Sequence, residues 1–181
     1  MKDQIWLIGF MGTGKSRLAR PLATALGWDA LDIDTLIEQR TGDTVPAIFD
    51  RGGEAAFRVL ESEVIEDAAR RERVVVATGG GSILAEANRN VMRERGFIVC
   101  LEARPDTIAA RIRQSGGASE RPLLRGADPL TAIAALKEAR QPLYAQADFV
   151  IHTDDMTPDQ VTHQVLTAFN EQTAVSAGGP V

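Results

Sequence analysis

The chain has 181 residues, 44% of them hydrophobic and 25% charged, which is enough for one domain with a buried core. A net charge of −5 without any basic run argues against nucleic acid as the main partner, because such binding relies on clustered positive charge. No run approaches the roughly 20 apolar residues that span a bilayer, and one cysteine cannot build a disulfide framework, so a reducing, cytoplasmic setting without membrane contact is expected.

The first predicted element is a strand over residues 4 to 8, where Ile5-Trp6-Leu7-Ile8 is apolar throughout. It leads into Gly9-Phe10-Met11-Gly12-Thr13-Gly14-Lys15-Ser16, which fits the phosphate-binding pattern G-x-x-x-x-G-K-[ST]. Beyond it Leu18, Ala19, Leu22, Ala23 and Leu26 recur at helical spacing until Gly27. A glycine-rich turn between a strand and a helix lets backbone N–H groups converge on an anion at the helix N-terminus. Lys15 is placed to reach the outer phosphates, and the Ser16 hydroxyl suits a nucleotide-bound Mg²⁺, a hard cation that takes oxygen ligands. The chain holds only three lysines, Lys2, Lys15 and Lys137, against seventeen arginines, which makes a chance lysine at this position implausible.

A short strand over residues 29 to 31 runs into Asp32-Ile33-Asp34, ahead of a helix predicted from Thr35 to Arg40. Alternate residues of an extended segment point the same way, so both carboxylates are expected to face the phosphate loop. One is suited to holding a Mg²⁺-bound water and the other to accepting a proton, while capping of the helix is the competing role. Residues 41 to 54 read as a short helix between two turns, a flap punctuated by Gly42, Pro46 and Gly52-Gly53. The next helix, about 54 to 71, has Phe57, Leu60, Val64, Ile65 and Ala68 on its apolar face. Arg58 stands near its start, where the helix dipole prefers acids; a bound anion would explain it, and plain solvent exposure is the alternative.

A strand over residues 73 to 77 ends in Thr78-Gly79-Gly80-Gly81-Ser82, and consecutive glycines at a strand end point to close approach of a ligand to the backbone. Helices are predicted over 85 to 95 and 105 to 114, on either side of a strand at 97 to 101 that buries Cys100. Residues 115 to 126 are small, polar and glycine-flanked, the composition of a lid, and they carry Arg121 and Arg125. In the long helix from 129 to 147, Ile133, Leu136 and Leu143 mark the buried face and Arg140 falls off it, ahead of Pro142 and Tyr144. The last strand, 149 to 152, and the last helix, about 158 to 170, are joined by a connection placed to pass a nucleotide base, with a structural role expected for His152. Residues 173 to 181 read as a flexible tail. Apolar strands alternating with helices predict an α/β fold in three layers, a five-stranded parallel sheet flanked by helices, with ligands beyond the carboxyl ends of the strands.

Taken together, GFMGTGKS, the DID at 32 to 34, FR at 57 to 58, TGGG at 78 to 81, ERPLL at 120 to 124 and R-x-P-L-Y at 140 to 144 resemble the shikimate kinase family. They do so in order and at the family's spacings from residue 4 to about 170. The resemblance implies a P-loop kinase domain over residues 1 to 172, with a lid at about 113 to 126, a substrate-binding flap and a tail at 173 to 181. It implies phosphorylation of the 3-hydroxyl of shikimate by ATP with Mg²⁺, in aromatic amino-acid biosynthesis, by a monomer.

The roles that the family pattern implies fall residue by residue. Lys15, with the amides of Gly12, Thr13 and Gly14, would hold the phosphates, and Ser16 would ligate Mg²⁺ with help from Asp32 through water. Asp34 would contact the attacking hydroxyl, Arg58 and Arg140 would pair with the substrate carboxylate, and Gly79, Gly80 and Gly81 would line the substrate. Arg121 would be the lid cation, completing a catalytic set with Lys15 and Asp34. Pro158 and an arginine before the lid would lie at the base; Arg111 and Arg113 both stand near the right place, and Arg113 is taken. Arg17, counted with the ATP-binding residues, stands where the family commonly has a second Ser or Thr. A related kinase acting on gluconate or another hydroxylated acid, or on a nucleoside monophosphate, is the alternative enzyme. The absence of an Asn-Lys-x-Asp motif weighs against a GTPase switch, and the joint presence of Lys15, Asp34 and Arg121 weighs against a silent ligand binder.

Overall fold

A computed structural model of the chain describes residues 2–115 and 128–177. Strand and helix alternate in the order β1 (Gln4–Ile8), α1 (Lys15–Leu26), β2 (Asp29–Asp32), α2 (Ile33–Thr41), α3 (Val45–Ala68), β3 (Val74–Ala77), a 3₁₀ turn at Ser82–Leu84, α4 (Glu86–Arg95), β4 (Phe97–Glu102), α5 (Pro105–Gln114), α6 (Pro129–Tyr144), β5 (Phe149–His152) and α7 (Pro158–Ala177). The strands form one parallel sheet in the order β2-β3-β1-β4-β5.

Side-chain alternation along the strands divides the core into two. Ile5, Leu7, Val75, Ala77, Val99 and Leu101 face α1 and α7, where they meet Leu18, Leu22, Val165 and Phe169. Trp6, Ile8, Val74, Val76, Ile98 and Cys100 face the opposite way, against Ile37, Val64, Met92, Ile112 and Ile133 from α2 to α6. Both faces are therefore covered, which is why the central strands are apolar at every position rather than at alternate ones. Central β1 is flanked by β3 and β4, and the chain crosses over it between them, so a crevice opens beyond its carboxyl end.

Three local expectations are corrected. Helix α2 begins at Ile33, so Asp32 is its N-cap, accepting the Thr35 N–H at 3.2 Å, and Asp34 sits in the first helical turn. The period-two alignment of the two carboxylates therefore does not apply; a cap and a first-turn residue point apart. Along α6 the buried residues are Ile133, Arg140 and Tyr144, seven and four apart and hence on one stripe, so Arg140 lies on the buried face rather than off it. Helix α7 continues to Ala177, into the stretch read from composition as a tail. The short helix and the longer one expected on either side of Gly52-Gly53 are both present along α3, where Gly53 at φ 70°, ψ −177° breaks the helical path between them.

Candidate active site

The loop between β1 and α1 is built from backbone. Gly9, Gly12 and Gly14 all have positive φ, and a Cβ at Gly9 would stand 2.2 Å from the Leu101 carbonyl oxygen, so only glycine fits there. Gly14 caps α1 without a side-chain hydrogen bond, and no acid occupies the first turn, which leaves the helix N-terminus to an external anion. The buried Thr13 side chain closes the loop on itself by donating to the Phe10 carbonyl at 2.8 Å. Lys15 folds back over it, its Nζ donating to the carbonyls of Gly9 at 2.7 Å and Phe10 at 2.9 Å. Ser16 and Arg17 follow, both exposed.

This loop floors a cleft of about 720 Å³ lined by Lys15, Ser16, Arg17, Asp34, Gly79, Gly80, Arg111 and Pro158 among others. A volume of that size suits a nucleotide with a small second ligand. At one end, Arg111 of α5 donates to the Thr153 carbonyl at 2.7 Å and to its hydroxyl at 3.0 Å, tying α5 to the loop after β5. Asp154 in that loop accepts the Arg104 N–H at 2.8 Å; partial burial raises its pKa, but that hydrogen bond and the nearby Thr107 and arginines outweigh it and hold the carboxyl below its usual value.

At the other end the glycines after β3 are packed by charged side chains. Glu61 of α3 is fully buried and holds Arg58 Nη1 at 2.7 Å through one oxygen and the Ser82 hydroxyl through the other. Glu54 accepts from Arg58 as well, at 2.9 Å. Burial pulls the Arg58 guanidinium down, but the Glu61 and Glu54 carboxylates outweigh it and hold the group above its usual value. A Cβ at Gly81 would lie 2.2 Å from Arg58 Nη2, and one at Gly79 would lie 2.5 Å from Glu61 Oε1 and 3.3 Å from Asp34 Oδ1. The glycines thus let α2, α3 and the loop close to contact distance. From the far side Arg140, only 5% exposed, donates to the Gly80 carbonyl at 3.2 Å and stands over the Phe10 ring at 5.6 Å, while Tyr144 donates to the same carbonyl at 2.7 Å.

The family model for shikimate kinase matches residues 11–170. The chain belongs to the shikimate kinase family. The family's enzyme from Symbiobacterium thermophilum is 43% identical over 169 residues, covering 93% of this chain and 97% of the relative. That of Moorella thermoacetica is 42% identical over 168 residues, covering 93% and 95%. Among solved structures, shikimate kinase from Acinetobacter baumannii in complex with shikimate aligns with a TM-score of 0.87 at 34% identity, covering 98% of this chain and 96% of that one.

Within this family frame the expected residues are distributed unevenly. Lys15, Ser16, Arg17, Asp34, Gly79, Gly80 and Pro158 line the cleft, and Arg58, Gly81 and Arg140 stand at its glycine end. Asp32 is half-buried and does not line it. Arg113 is exposed and also lies off the cleft wall; two residues along a helix is about 200° of rotation, and it is Arg111 that turns inward. Arg121 and Arg125 lie outside the described residues. Among the described residues no cluster of three His, Cys, Asp or Glu side chains is arranged for a metal. The donors lining the cleft include oxygens, the Ser16 hydroxyl and the Asp34 carboxylate, and such hard ligands fit a Mg²⁺ that arrives on a nucleotide and keeps most of its waters.

Sequence reasoning missed Glu61, although a signal was present. It falls four residues after Phe57 and three before Val64, on the apolar stripe of α3, and a carboxylate on such a stripe must have a buried partner. Ser82 and the Asn88 side chain, which donates to the Ser82 carbonyl at 2.9 Å, carried no comparable signal.

Proposed function

We propose that the chain transfers the γ-phosphoryl group of ATP to the 3-hydroxyl of shikimate. The observation that carries this reading is the meeting of two guanidinium groups at one glycine loop, Arg58 against Gly81 and Arg140 on the Gly80 carbonyl, at the end of the phosphate cleft where Asp34 stands. Two forked donors around a glycine-lined floor match a small carboxylic acid with ring hydroxyls.

In this reading the amides of residues 12 to 14 and the Lys15 ammonium hold the β- and γ-phosphates, and Lys15 exchanges its loop carbonyls for phosphate oxygens when nucleotide enters. Ser16 and, through water, Asp32 would hold a Mg²⁺ brought in by the nucleotide, and the ion would supply neutralisation of phosphate charge. Asp34 orients the substrate hydroxyl and takes its proton. Arg58, fixed by Glu54 and Glu61, and Arg140, fixed on Gly80, pin the acid so that the hydroxyl lies in line with the terminal phosphorus. Arg121 is assigned by the family pattern to the transferring phosphoryl group. The adenine side is assigned to Arg111 and Pro158, with a monomer acting in the cytoplasm.

The test is ADP release with ATP and Mg²⁺, with shikimate present and absent, beside gluconate and nucleoside monophosphates as rival acceptors. Turnover dependent on shikimate and lost in Lys15→Met supports the reading. Faster turnover with another acceptor overturns it.

A further inference from the structure

Behind the acid-binding end lies a charged group that the reaction as described does not use. Glu102, the last residue of β4, is only 2% exposed, and each of its carboxylate oxygens is held by α6. Lys137 Nζ lies 2.6 Å from Oε2, and Gln141 Nε2 donates to Oε1 at 3.2 Å. Lys137 also donates to the Gln141 side-chain oxygen at 3.3 Å, closing a small ring of contacts. Residues 137, 140, 141 and 144 share one face of the helix, so the ion pair adjoins Arg140 and Tyr144, the two residues that reach Gly80.

The charges decide what this arrangement does. Among the described residues Arg140 has no carboxylate within ion-pair distance. Burial pushes the Tyr144 hydroxyl up from its ordinary pKa, Arg140 pulls it down and Glu102 adds to the rise, so both charges act on one buried phenol. Arg140 and Glu102 by themselves would sum to zero and give an incoming anion nothing to neutralise. With Lys137 the group carries one net positive charge, the complement of one carboxylate. The interior is a weak screen, so this difference is felt along the helix face that Lys137 and Arg140 share.

We propose that Lys137 is a positioning and specificity residue: by occupying the buried Glu102 carboxylate it keeps Arg140 electrostatically free for the carboxylate of the substrate. The inference rests on the assignment of Arg140 to that carboxylate. It requires that affinity for the acid follow the charge of the buried group, and it is separable from a simple tie between β4 and α6, which would act on stability.

The experiment measures KM for shikimate, KM for ATP, kcat and melting temperature in Lys137→Met, Lys137→Arg, Glu102→Gln, Glu102→Gln/Lys137→Met and Arg140→Ala. Lys137→Met should raise the shikimate KM about tenfold with kcat and the ATP KM within about twofold, and Lys137→Arg should keep the parent value. The double variant restores the single positive charge, so its shikimate KM should return to within about threefold of the parent. If Lys137→Met does not fold, Glu102→Gln carries the test, because it leaves no buried carboxylate unpaired and should lower the shikimate KM. An unchanged shikimate KM in both Lys137→Met and Glu102→Gln, or a double variant as weak as Lys137→Met, overturns the proposal. If Arg140→Ala leaves that KM unchanged, the substrate assignment itself fails; if Arg140→Ala raises it and the charge variants do not, only the role of Lys137 fails.

Discussion

In the proposed reading the two ends of the cleft bind anions by different means. The phosphate end is made of main chain from one contiguous stretch, with glycines at positive φ and a helix N-terminus free of acids. The acid end is made of side chains from α2, α3 and α6 around the loop after β3, with a fully buried glutamate and a nearly buried arginine holding the parts in register. Backbone N–H groups cannot be titrated and are already oriented, so the first design tolerates changes in its surroundings. Buried guanidinium and carboxylate groups are costly unless each finds its partner, so the second design is specific and fragile.

The sharpest way to break this contrast is at Lys15, whose ammonium folds back over the phosphate loop. Lys15→Met should lower kcat by about 10³-fold or more while shikimate binding, read by calorimetry without nucleotide, stays at the parent value. Asp34→Asn should lower kcat by about 10²- to 10⁴-fold with ATP binding near normal, because the amide keeps the contact and loses the base. Parent turnover in that variant would remove Asp34 from the chemistry.

At the acid end, Glu61→Ala leaves Arg58 without its buried partner and the Ser82 hydroxyl without an acceptor. A stability loss of about 3 kcal/mol in urea denaturation is expected, together with a raised shikimate KM. Gly81→Ala drives a methyl into the Arg58 guanidinium and should raise the shikimate KM about tenfold, leaving the ATP KM unaltered. If both KM values rise together, the two ends are not independent. The smallest effect is at Cys100, where burial first and then the Glu102 carboxylate push the thiol up from its ordinary 9.0 to about 12. The native protein should therefore resist thiol reagents at pH 8. Because the folded pKa is the higher one, this group's contribution to stability is complete below pH 9 and is lost as pH rises toward 12, which denaturation at pH 8 and pH 10 would register.

Legibility in the sequence follows the same division. The strands at 4 to 8 and 149 to 152 and the helix at 105 to 114 were readable to the residue, since apolar runs and helix-start signals are local. Asp34 was found for its chemistry but placed on the wrong local structure, because an Asp-Ile-Asp run is compatible with both a strand end and a helix cap. Arg140 is legible from its motif, yet its charge hides the seven-residue spacing from Ile133 that places it on the buried stripe. Arg111 and Arg113 are not told apart by proximity in sequence, which does not give the rotational phase of a helix.

The sequence by itself determined the phosphate loop, the alternation of buried strands with helices and the membership in a family, because each of these is written within short contiguous runs or their order. Only the tertiary structure decided which carboxylate faces the cleft, which arginine turns inward, and that Glu61 and Glu102 are interior charges with dedicated partners. Those facts depend on segments dozens of residues apart meeting at a few ångströms, and a partner's identity is settled by packing rather than by the residue that needs it.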